Sequence, residues 1–124
     1  MVQQIIRKSN TESGANLYVV YDTERDEIIV KHVVNGKKHH DTLPAYVSRN
    51  NATNANTVVW YKDGVVHNDN APASVTYDPL NDKKIERWFH NGLKHRVDGP
   101  ALIVTSLSKG TLLSSAWYKD GVIC

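Results

Sequence analysis

Cysteine is nearly missing from this chain. A single Cys124 occupies the last of 124 positions, so no disulfide can close within the chain and its thiol content does not point to an oxidising compartment. Long apolar runs are missing too: the longest are about four residues, against the roughly 20 that a membrane-crossing helix needs. The stretch from Met1 to Lys8 has no apolar core of the length a secretory leader requires, which predicts a cytoplasmic protein without a membrane span. Helical periodicity is the third absence. Nowhere do apolar residues recur at threes and fours over a long window, so an all-β reading is preferred to a helical one. A field of one sign is also lacking, because the formal net charge is only +2 and the signs are interspersed; nucleic acid is not advertised by charge alone.

The chemical motifs of enzymes are absent as well. There is no Gly-x-Ser-x-Gly elbow, phosphate loop or paired cysteine ligand set. Cys124, as a chain end, has no held neighbour to activate it. A non-enzymatic protein with no catalytic residue and no cofactor is expected.

What is present is ordinary in amount, with 40% hydrophobic and 23% charged residues, and periodic in arrangement. Gly36, Gly64, Gly92 and Gly121 stand 28, 28 and 29 residues apart. Each follows Asn35, Asp63, Asn91 or Asp120, and such Asn-Gly and Asp-Gly pairs in strand-like surroundings are the strongest short-range hairpin signal. Four residues before each glycine stand His32, Trp60, Trp88 and Trp117, and three before it Val33, Tyr61, Phe89 and Tyr118. Three after it stand His39, His67, His95 and Cys124, and Pro44-Ala45, Pro72-Ala73 and Pro100-Ala101 open the next strand. Proline, with no backbone donor, suits a strand start.

Eight strands follow from this pattern: 17–21, 27–34, 45–49, 57–62, 73–77, 84–89, 101–105 and 112–119, with a short return strand and a corner after each glycine. The chain reads as one domain over 1–124, with an irregular cap at 1–16, in which Ile5 and Ile6 could add a short strand and Ser9–Asn16 reads as loop, and with repeats over 17–124. Alternation places Ala45/Val47, Ala73/Val75 and Ala101/Ile103 on the buried side. The fold class expected is an antiparallel meander of β-hairpin repeats, about 28 residues each, forming an open or curled sheet.

The unit Trp88-Phe89-x-Asn91-Gly92-x-x-His95, continued through Arg96, Asp98, Gly99, Pro100 and Ala101, resembles the longer MORN-like repeats of bacteriophage and large-DNA-virus proteins. The shorter MORN units carry a further glycine after the histidine, where this chain has Asn68 and Arg96. The first copy is degenerate, with His32 in the tryptophan's place. The resemblance implies a surface for interaction rather than catalysis: a viral protein that binds and blocks a host protein, a defence protein among the candidates, with a homodimer among its arrangements.

The candidate binding residues are Trp60, Trp88 and Trp117, with Arg87, Lys94 and Arg96. An aromatic row can stack on bases or pack a partner, and it can equally serve as strand packing. The alternative function is therefore a sponge for a nucleotide signal or single-stranded nucleic acid, although Val65-Val66 breaks the basic row that Lys37-Lys38 begins. His39, His67, His95 and Cys124 invite a metal reading, but neighbouring copies lie about 10 Å apart while zinc needs its ligands at about 2.0–2.3 Å. A ring hydrogen bond tying each corner is expected instead, with no metal.

Overall fold

The computed structural model describes the backbone of residues 3–10 and all of residues 15–124. Its elements in chain order are β1 (Gln3–Asn10), β2 (Ala15–Asp22), β3 (Glu27–Val34) and the short β4 (Lys37–Lys38). β5 (Tyr46–Asn50) and β6 (Asn56–Val59) lead to the short β7 (Tyr61–Lys62) and β8 (Val65–Val66). β9 (Ser74–Asp78) and β10 (Lys83–Arg87) lead likewise to β11 (Phe89–His90) and β12 (Leu93–Lys94). β13 (Leu102–Ser106) and β14 (Leu112–Ala116) lead to β15 (Tyr118–Lys119) and β16 (Val122–Ile123). The long strands pair antiparallel in chain order from β1 to β14, and β7/β8, β11/β12 and β15/β16 are separate two-stranded ribbons. The protein is an all-β antiparallel meander of repeated hairpin units, and among the described residues no helix is long and apolar enough to cross a membrane.

The sequence places one strand through each tryptophan, and there the structure differs. β6, β10 and β14 end just before Trp60, Trp88 and Trp117. The reason lies in where the tryptophan's backbone groups go. Trp60 N–H donates to Ala73 O and Trp88 N–H to Ala101 O, both at 2.8 Å, immediately before the following long strand. The tryptophan carbonyls instead accept from His67 N–H at 3.0 Å and His95 N–H at 3.1 Å, immediately after the return strand of the short ribbon. The tryptophan is thus the residue at which the chain leaves the sheet and enters the ribbon.

A second correction concerns the N-terminal stretch. Ser9 and Asn10, expected in a loop, belong to the eight-residue β1, and Ala15 and Asn16 begin β2; Ser9 faces Leu17 and Asn10 faces Asn16. Residues 11–14 of that expected loop lie outside the described residues. A polar run such as Arg7-Lys8-Ser9-Asn10 carries no period-two apolar signal, yet charge is what an edge strand uses to discourage further pairing.

The core is thin. Ala45, Ala73 and Ala101 are completely buried, and Val20, Ile29, Val59 and Val75 are nearly so; Val47 and Ile103, expected with them, are half-buried. Each alanine carbonyl takes the N–H of the residue four before the preceding turn glycine, His32 for Ala45, Trp60 for Ala73 and Trp88 for Ala101, and Ala73 also donates to Arg87 O at 2.9 Å. A larger side chain there has no solvent to turn into.

The far ends of the long hairpins repeat with the same period. Asp22, Asn50, Asp78 and Ser106 each turn a side-chain oxygen onto the loop that follows: Asp22 Oδ1 accepts from Glu24 and Arg25 N–H, Asn50 Oδ1 from Ala52 and Thr53, Asp78 Oδ1 from Asn81, and Ser106 Oγ from Lys109. Four residues on, Asp26, Asn54, Asp82 and Gly110 all take positive φ. These are side-chain-closed turns at steps of 28, built from residues that bond to their own backbone. The odd step of 29 before Gly121 has a structural cause. Thr105 pairs with Leu112 and Val104 with Ser114, so Leu113 is an extra residue absorbed as a β-bulge.

Candidate functional site

The short ribbons stand side by side along one edge of the meander, and their turns define the site. Asn35, Asp63, Asn91 and Asp120 have φ near +50°, and the glycines that follow have φ from +78° to +84°. Two consecutive positive values are the type I′ hairpin that Asn-Gly and Asp-Gly favour. Neighbouring ribbons are joined by backbone bonds: Gly64 N–H to Lys38 O at 2.8 Å, Gly92 N–H to Val66 O at 2.9 Å and Gly121 N–H to Lys94 O at 2.8 Å.

The histidines supply the second link. His39 Nδ1 accepts the Asp63 N–H at 3.0 Å, His67 Nδ1 the Asn91 N–H at 2.9 Å, and His95 Nδ1 the Asp120 N–H at 3.0 Å. Each ring therefore pins the next repeat's turn rather than its own corner. An imidazole that accepts at Nδ1 carries its proton on Nε2, and that proton goes to Asp41 Oδ1 at 2.9 Å from His39 and to Asp69 Oδ1 at 2.7 Å from His67. The His67 ring holds the Asp69 carboxyl below its ordinary value, first through the hydrogen bond and then through charge. His95 has Val97 in place of that acid.

Between the corner of one repeat and the tryptophan of the next lies a cleft, and it occurs twice in the same register. One is lined by His39, His40, Asp41, Thr42, Trp60, Tyr61, Lys62, His67, Asn68 and Asp69, with a volume of about 120 Å³. The other, of about 620 Å³, is lined by Asn68, Asp69, Asn70, Trp88, His90, His95, Arg96, Val97 and Asp98. Trp60 closes its cleft by donating its indole N–H to Thr42 O at 3.3 Å, whereas the Trp88 indole N–H is covered and has no acceptor. Trp117, the third of the row, is 49% exposed.

The six candidate binding residues thus separate. Trp88 and Arg96 come together, the guanidinium 3.9 Å from the ring centroid. Arg96 also bonds Asp98 Oδ1 at 3.3 Å and Pro100 O at 3.2 Å; Asn68 makes the corresponding bond to Pro72 O one repeat earlier. Lys94 does not line the cleft; its ammonium sits 5.0 Å from the Tyr118 ring, as Lys38 does over Tyr61. Arg87 stays in the sheet opposite Ser74 and Leu102.

Asp41, Asp69 and His90 also line the clefts, beyond the six residues that the sequence singles out. The acids were legible as a His-x-Asp spacing repeated at 39/41 and 67/69. His90 was not, because Lys62 and Lys119 hold its register position in the flanking copies. The histidine row itself does not converge, but His67, Asp69 and His90 present ligand atoms within 4.8 Å of one another. A cation there would need the Nε2 lone pair of His67. With Nδ1 engaged by the Asn91 N–H, that nitrogen carries a proton bound to Asp69, so metal capture would break one of the two hydrogen bonds that place the ring.

Fold and site together define a class: a β-hairpin repeat protein with a grooved aromatic edge. No protein-family model, curated protein or solved structure matches the chain.

Proposed function

We propose that this chain is a non-enzymatic binding module whose tryptophan edge receives a segment of a partner protein. The observation that carries the reading is the repetition of the cleft: Trp60 and Trp88 each line one, in the same register, beside exposed Trp117. Aromatic side chains that are half-buried in concave surroundings provide large contact area at small entropic cost. The unit's resemblance to longer MORN-like repeats supports an interaction role. On that resemblance alone rests the finer proposal, a bacteriophage or viral protein that acts in the host cytoplasm by blocking a host protein, with a second copy covering one face of the sheet.

The sponge for a nucleotide or single strand is the second reading, and the concavity of the clefts favours it. It also requires cations that converge on an anion. Arg96 is already held between Trp88 and Asp98, and Lys94 lies over Tyr118, which favours the protein partner.

Affinity capture from host lysate with the tagged chain, compared with its Trp60→Ala/Trp117→Ala variant, tests the choice. A stoichiometric protein retained in high salt and lost with the variant is expected. Nucleotide or RNA recovered without a protein would reverse the order of the two readings.

A further inference from the structure

The clefts recur along the edge at a distance set by backbone geometry. Trp60, Trp88 and Trp117 follow β6, β10 and β14, every second strand of the continuous sheet, so successive tryptophan positions are about 9.6 Å apart, two strand spacings. A fully extended peptide rises about 3.3 Å per residue and alternates its sides, so it would present opposite faces to successive clefts. A polyproline II helix has three residues per turn and rises about 3.1 Å per residue, returning the same face every 9.3 Å or so. The two periods, about 9.3 Å and about 9.6 Å, match. Proline-rich segments in this conformation dock in aromatic-lined grooves because they arrive already ordered.

The charges select among such segments. Two carboxylates line each cleft, Asp41 and Asp69 in the first, Asp69 and Asp98 in the second, against one lysine or arginine, Lys62 or Arg96. Side chains of the three acids are 70% to 88% exposed. A partner whose non-docking positions carry lysine or arginine gains from that rim, whereas a phosphate backbone is repelled by it.

We infer that the tryptophan edge recognises a basic, proline-rich segment in the polyproline II conformation, one residue in three entering each successive tryptophan position. The inference deepens the binding-module reading and rests on it.

The test is titration of the intact chain, followed by calorimetry and tryptophan fluorescence, with an eighteen-residue peptide repeating Pro-Pro-Lys. Peptides of equal length repeating Gly-Ser-Lys and Pro-Pro-Glu, and an oligothymidylate, serve as comparisons. Binding of the first with at least tenfold preference over the others is expected. Trp117→Ala, which removes an exposed ring, should weaken it about tenfold, as loss of an aromatic anchor does. Asp69→Asn keeps an acceptor for His67 Nε2–H and should weaken it severalfold with a shallower salt dependence. Equal binding of the Gly-Ser-Lys peptide overturns the inference by reducing recognition to charge, and tighter binding of the oligothymidylate overturns it in favour of nucleic acid. Failure of Pro-Pro-Lys while a lysate protein is still held through the tryptophans overturns this inference and leaves the binding module standing. If lysate capture also ignores the tryptophans, both fall.

Discussion

A histidine that accepts a backbone N–H through one nitrogen and gives its proton to a carboxylate through the other is a two-sided joint. Removing it leaves that turn N–H to water and loosens the link between neighbouring repeats. His67→Ala takes the acceptor from the exposed Asn91 N–H, which water can replace, and should cost about 0.5–1.5 kcal/mol in urea unfolding, the net contribution of a typical hydrogen bond. His90→Lys installs the residue that Lys62 and Lys119 already supply at the same register; stability should stay within about 0.5 kcal/mol, as for neutral surface changes. A larger loss would show that His90 is tied to His67 by more than position. Packing sets a harder limit at the alanines. Ala73→Val adds two methyl groups to a site with no exposure at all, and overpacking of this kind costs about 1–3 kcal/mol; an unchanged melting temperature would refute the account of the corner.

At the level of the element, the ribbons and the loops are stabilised by different means. Gly92 has φ +83° and a Cβ there would lie 3.1 Å from Val65 Cγ1, while Gly36 has φ +78° and open space. Both alanine substitutions pay for the left-handed backbone, about 1–2 kcal/mol, but only Gly92→Ala also presses on the neighbouring ribbon, so its measured loss should be the larger. The loops respond to acid. Hydrogen bonds from the Ser106 and Ser108 hydroxyls, then from the Ser108 N–H, hold the Asp82 carboxyl below its ordinary value, and the Tyr21 hydroxyl followed by the Asn51 amide does the same for Asp26. A depressed carboxyl contributes stability above its unfolded value near pH 4 and loses it as pH falls through the folded value. Burial, and then the charge of His40, lower His32, which adds a decline starting below about pH 6.5. Melting temperatures measured across this range should show both limbs, and Asp82→Asn should flatten the acid one. The eight strands were legible in the sequence because glycine, ring and proline kept their spacing. The strand break at each tryptophan was not, since apolar alternation runs straight through it and only the destination of its backbone groups reveals the corner. The loop register at Asp22, Asn50, Asp78 and Ser106 was hidden differently: its residue types change while the bond they make does not. Of the candidate site, the tryptophans were readable from their period, whereas the acids beside them depend on which walls the ribbons bring together.

For the molecule as a whole, a meander leaves two sheet edges, and rows of unpaired backbone groups invite other chains. The inner pairings from β2 to β13 run in continuous register. Both outermost pairings slip: β1 against β2 between Ile5 and Arg7, and β13 against β14 between Val104 and Thr105. The irregularities thus fall at the edges, where a bulge bends the strand and spoils a straight template. The edge at β14 has the greater need, because Leu112-Leu113-Ser114-Ser115-Ala116 carries no charge and Leu112 and Leu113 are more than half exposed. Leu113 is also the residue that turns the 28-residue step into 29. Deleting it restores the common period and removes the bulge, so the repeat should still fold while β14 becomes a straight, uncharged edge. Sedimentation of the parent and the deletion chain over a range of concentrations should show stronger self-association in the deletion, with Leu112→Lys in that background reversing it. Equal association of parent and deletion, with circular dichroism showing both folded, would mean that the extra residue does not guard the edge.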